Sequence, residues 1–67
     1  MRYSKIVEVG ERLRQSNIDR ISTEKLKALL RRVTDSYRDE TLNRYIKLLR
    51  DEGYIRFVDG SWKILRR

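Results

Sequence analysis

The hydrophobic pattern of this chain changes period once, and the change falls at Gly53. Up to Leu49 apolar residues recur every three or four positions, the spacing of helices that bury one face; from Tyr54 onward they alternate, the spacing of half-buried strands. Helices therefore come first and a β-ribbon last. With 67 residues there is room for one domain only, and a chain of that size buries just about 60% of the surface it exposes when unfolded. Helices and ribbon must share a single thin core, which makes the expected class α+β over residues 1–67.

Three helical segments are expected. In residues 3–14, Tyr3, Ile6, Val7, Gly10 and Leu13 share a face with Val9 beside it, and Lys5, Glu8, Glu11, Arg12 and Arg14 lie mostly opposite. Ile18 to Ile21 reads as a short extended piece. Ser22 or Thr23 is then a natural N-cap for a second helix whose inward stripe is Leu26, Leu29, Leu30 and Val33. Thr34 to Tyr37 is polar and turn-like. The third helix begins between Ser36 and Asp39, capped by either, has Leu42, Ile46 and Leu49 as its core with Tyr45 on the flank, and stops at Gly53.

Asp59-Gly60 is the strongest turn signal in the chain. A two-residue primed turn there sets Val58 opposite Ser61, Phe57 opposite Trp62, Arg56 opposite Lys63 and Ile55 opposite Ile64. The buried face is expected to be Ile55, Phe57, Trp62 and Ile64, with Tyr54, Arg56, Val58, Ser61, Lys63 and Leu65 on the other. Phe57 and Trp62 are assigned to the core, because a small domain needs its large apolar groups inside. Tyr3, Tyr45 and Tyr54 are expected at the core edge, and Tyr37 is a candidate plug beneath the turn between the second and third helices.

Composition narrows function. There is no cysteine and no histidine, which removes disulfides, thiolate nucleophiles, imidazole bases and Cys/His zinc sites. No spacing of carboxylates points to a metal or cofactor, and no nucleophile and base stand out, so an enzyme is not expected. No apolar run approaches the ~20 residues that span a bilayer, and no secretory leader is legible at the N-terminus, so a cytoplasmic protein without a membrane partner is expected. Seventeen Lys and Arg stand against ten Asp and Glu, a formal charge of +7. Such an excess on a small body attracts polyanions, of which nucleic acid is the commonest in cells. Twelve of the cations are Arg, whose rigid donor fork suits phosphates and guanine edges. High charge with few Asn, Gln, Cys and Met also points to a thermophilic source.

The order helix, short strand, helix, helix, hairpin resembles the winged helix-turn-helix domain over residues 3–65. The segment Thr41-Leu42-Asn43-Arg44-Tyr45-Ile46-Lys47-Leu48-Leu49 followed by Gly53-Tyr54-Ile55 looks like its recognition helix and exit strand, and Ile21-Ser22-Thr23-Glu24 with Leu26, Leu29 and Leu30 is similar to its second helix. The ten residues 31–40 contain none of the glycine common in tight helix-turn-helix connections, a length similar to that of small archaeal and archaeal-virus regulators.

The resemblance implies a sequence-specific double-stranded DNA-binding protein, a transcriptional regulator found on the nucleoid. Its third helix would enter the major groove, with Arg38, Glu40, Asn43, Arg44 and Lys47 facing the bases: Arg for guanine, Asn for adenine, Glu for the cytosine amino group. Backbone contacts are expected from Ser22, Thr23 and Lys25 at the start of the second helix, and from Arg56, Lys63, Arg66 and Arg67 on the hairpin wing. Residues 35–53 carry four cations against five carboxylates, so the reading helix is the least basic segment. Two other readings stay open: a winged-helix adaptor for proteins, and a non-specific nucleic-acid binder. A homodimer is expected, paired through the apolar face of the first helix including Val9.

Overall fold

Local signals start or stop several elements of the computed structural model, which describes residues 2–66, with side chains from residue 4. The order is α1 (Arg2–Gln15), β1 (Arg20–Ile21), α2 (Thr23–Thr34), α3 (Asp39–Asp51), β2 (Ile55–Val58) and β3 (Ser61–Ile64). Tyr3's side chain and Arg67, assigned above to the core edge and the basic wing, lie outside the described residues.

Ser22 caps α2: its backbone is extended and its Oγ accepts the Lys25 N–H at 3.2 Å, satisfying one of the donors a helix start leaves over. The far end runs one residue past expectation. Thr34, assigned to a turn, is the last helical residue and is buried, because its Oγ1 donates to the Leu30 carbonyl at 2.7 Å. Asp35 then takes the left-handed conformation, φ 58°, and does the work of the missing glycine. Only four residues, 35–38, join α2 to α3. Neither Ser36 nor Asp39 caps α3; the N-cap is Arg38, without a side-chain bond to the helix.

α3 ends as its glycine dictates. Gly53 sits at φ 83°, its N–H reaches the Arg50 carbonyl at 3.1 Å, and the Tyr54 N–H reaches Leu49 at 3.0 Å. This pair of bonds is a Schellman motif, and it turns the chain from helix directly into β2. Asp59 and Gly60, at φ 51° and 83°, form the primed turn, and the β2–β3 register is the expected one. β1 is the third strand: it pairs antiparallel with β3, Arg20 opposite Lys63 and Ile21 opposite Trp62, giving the sheet order β1-β3-β2.

The core lies between the three helices and one end of this sheet. Leu26, Leu30, Leu42, Leu49 and Val9 are fully enclosed, with Ile6, Leu13, Ile46, Ile55 and Ile64 around them. Ile6, Val9 and Leu13 are 2%, 0% and 3% exposed within a single copy. The apolar face of α1 is thus consumed by the protein's own core and is not available as the dimer interface expected above. Among the described residues, those α1 leaves exposed are Ser4, Lys5, Glu8, Glu11, Arg12 and Gln15, all polar or charged.

The hairpin departs from its expected burial. Ile55 and Ile64, next to the helices, are inside, whereas Phe57, two residues farther out, is 53% exposed and meets Trp62 edge-on with ring centroids 5.0 Å apart. Ile21 and Trp62, on the same rung, still pack against the core and the start of α2, whereas Phe57 lies on edge strand β2, where the helices do not cover it. Tyr54, assigned to the outer face, is buried instead against α1. Tyr37 is 73% exposed and plugs nothing.

Candidate nucleic-acid interface

The sheet's outer face is built from the strand register. Residues directly opposite one another across antiparallel strands project from the same face. Arg20 on β1, Lys63 on β3 and Arg56 on β2 therefore stand in one row across all three strands, and all three are exposed. Neighbouring strands lie ~4.8 Å apart, so three cationic residues occupy adjacent positions, and like charges directly opposite one another are destabilising. Arg20 is additionally tied down: its Nη1 donates to the Val58 carbonyl at 2.9 Å and to Ser61 Oγ at 3.0 Å, drawing its guanidinium across β3 toward the turn.

Sequence reasoning paired Arg56 with Lys63 and missed Arg20. A two-residue strand has no periodicity to read, and its partner in the sheet lies more than forty positions away. The only local signal is the exposed-buried alternation of Arg20 and Ile21.

At the start of α2 the two hydroxyls are each engaged as acceptors, Ser22 by its own helix and Thr23 by the Trp62 indole N–H at 3.0 Å. Each retains its proton for donation to an anion. Lys25 is exposed in the same turn. The Trp62 bond ties this helix start to the hairpin.

On α3 the buried side is Leu42, Tyr45, Ile46 and Leu49, and the residues between them, Glu40, Asn43, Arg44 and Lys47, are exposed together with Arg38 just before the helix. The acidic start of α3 is partly neutralised from α2, because Lys27 Nζ lies 3.5 Å and Arg31 Nη2 3.8 Å from the Asp39 carboxylate. Glu40 has no such partner among the described residues. The exposed cations Lys25, Arg38, Arg44, Lys47, Arg56 and Lys63 make no ion pair among the described residues either.

Arg66 has other employment. Its guanidinium donates to the carbonyls of Arg14 (3.2 Å), Ser16 (2.6 Å) and Ile18 (2.6 Å) and to the Asp19 carboxylate (3.2 Å), closing the C-terminal end of α1 and the loop after it. Its donors serve the fold, which leaves fewer of them for the polyanion contact expected of it.

A second cluster holds the base of the hairpin beside it. The Tyr54 ring lies against Gly10 and beneath the Arg14 guanidinium, whose Cζ is 4.1 Å from the ring centroid. Arg14 also donates to the carbonyls of Leu65 and Gly53 at 3.2 Å each, and the Tyr54 hydroxyl donates to Glu11 at 2.8 Å. That bond to a carboxylate, with burial and the Glu11 charge, raises the Tyr54 phenol above its ordinary pKa of 10.0.

Among the described residues no group of acidic side chains is arranged to hold a metal ion, and no helix is long and apolar enough to cross a membrane. No family model, no curated protein and no solved structure matches this chain.

Proposed function

We propose that this protein is a winged helix-turn-helix binder of double-stranded DNA, a transcriptional regulator in which α3 reads bases and the β2–β3 wing grips the backbone. The observation that carries the reading is the row of Arg20, Lys63 and Arg56 on the outer sheet face. Three adjacent like charges repel one another, and a phosphate backbone lying across them turns that repulsion into attraction. Supporting it, α3 exposes Asn43, Arg44 and Lys47, side chains suited to adenine, guanine and phosphate, on the side away from its core residues. The neutralisation of Asp39 by Lys27 and Arg31 lowers the charge barrier to phosphate at the start of that helix.

Selection of bound duplexes from a random pool, followed by affinity measurements across salt concentrations, tests the reading. Binding should fall steeply as salt rises, in proportion to the number of phosphates contacted. Arg44→Ala should relax preference at one base position by about 1–3 kcal/mol, whereas Lys63→Ala should weaken every sequence alike. Equal losses on all sequences for Arg44→Ala would remove α3 from the reading role. Failure to shift any duplex at micromolar protein and low salt would refute DNA binding altogether.

A further inference from the structure

On a different surface, α1 and α2 enclose an open groove of about 410 Å³ lined by Lys5, Glu8 and Arg12 from α1 and by Leu29, Arg32 and Val33 from α2. The spacing is helical on both walls: i, i+3, i+7 on one and i, i+3, i+4 on the other, so one face of each helix lines the groove. From Lys5 to Arg12 the groove runs about 10 Å along α1, two helical turns. Leu29 and Val33 pack against the core from below yet remain partly open above, giving the groove an apolar floor. Its rim is cationic. Arg12 is paired with Glu8 at 3.3 Å, while Lys5 and Arg32 have no ion-pair partner among the described residues.

We propose that this groove docks an acidic, amphipathic segment of a partner protein, with apolar side chains on Leu29 and Val33 and carboxylates on Lys5 and Arg32. The apolar floor is what separates this occupant from nucleic acid, since phosphate and sugar gain nothing from Leu29 and Val33, and Glu8 stands in the lining. Charge separates it from a second copy of this chain, because a protein of formal charge +7 brings an excess of like charge to a cationic rim. Helix-in-groove recognition uses this combination, apolar anchors at helical spacing flanked by complementary charge. The inference rests on neither α3 nor the hairpin, so it stands or falls separately from DNA binding.

The test uses a fluorescein-labelled synthetic peptide of about 15 residues with Leu at i, i+3, i+4 and i+7 and Glu between, and a scrambled isomer of identical composition. The patterned peptide should bind the full chain more tightly than its isomer, and its amide shifts should centre on Glu8, Leu29, Arg32 and Val33. Lys5→Glu with Arg32→Glu, both rim positions outside the core, should weaken it by about tenfold or more, while Arg50→Glu, a charge reversal outside the groove, leaves it within about twofold. Circular dichroism checks that each variant is folded. Equal binding of the scrambled isomer, unchanged affinity in the double variant, or shifts confined to α3 or the hairpin would overturn the proposal. So would groove shifts produced by a random duplex, or by raising the concentration of the protein alone.

Discussion

The two ends of the β2–β3 hairpin have the same alternating sequence and opposite fates. At the base, Ile55 and Ile64 are 1% and 3% exposed and Tyr54 is clasped by Gly10, Arg14 and Glu11; at the tip, Phe57 is 53% exposed and the neighbouring cations face water. Strand alternation decides only which face a side chain takes. Whether that face is buried depends on how far the helices reach beneath it: on β2 they stop between Ile55 and Phe57, while on β3 they still reach Trp62. One end of the ribbon is an anchor and the other a projecting surface.

Removing an anchor should have the largest effect. Ile55→Ala leaves a cavity among fully enclosed neighbours and should cost about 2–5 kcal/mol in urea unfolding, whereas Phe57→Ala should cost no more than about 1.5 kcal/mol, mainly the edge contact with Trp62. Similar losses at both sites would erase the contrast between base and tip.

Gly10→Ala comes next. In an exposed helix interior this change stabilises by up to ~1 kcal/mol. Here an added Cβ would stand 2.5 Å from the Tyr54 ring, so the substitution should instead destabilise by about 1–3 kcal/mol by the same measurement. A gain in stability would show that Tyr54 does not need its close seat on α1.

Tyr54→Phe should give a smaller loss, about 1 kcal/mol at neutral pH, from the missing bond to Glu11. Its sharper reading is in alkali. The folded state holds the phenol proton more tightly than the unfolded chain, so the stability this group contributes is full below about pH 10 and is lost as pH rises through the raised folded value. The difference in stability between wild type and Tyr54→Phe should therefore shrink as pH climbs above 10, and a constant difference would mean that the Glu11 bond does not bias the titration.

Much of this architecture is legible in the sequence. Gly53 and Asp59-Gly60 have backbone demands that few other residues meet, so the end of α3 and the hairpin register follow from them. The stripes of α2 and α3 name most of their buried residues for a similar reason, since a helix presents every third or fourth residue to one side. Less was legible in the candidate interface. Arg56 opposite Lys63 could be read from the turn, but Arg20 joins them through a strand pairing that spans the chain, and Lys27 and Arg31 reach Asp39 only because α2 and α3 pack together. Arg66 looked like one more free cation; four oxygen acceptors brought together from the end of α1 and the following loop make it a clasp.

By itself, the sequence determined the order and type of the elements, the hairpin register and the cationic balance, because these depend on backbone conformations and periodicities set by residues near one another. Only the tertiary structure decided which apolar residues are covered, that α1 spends its apolar face at home, and which cations remain free to meet a partner. Burial and charge pairing are sums over neighbours distant in sequence, and such neighbours exist only once the chain has folded.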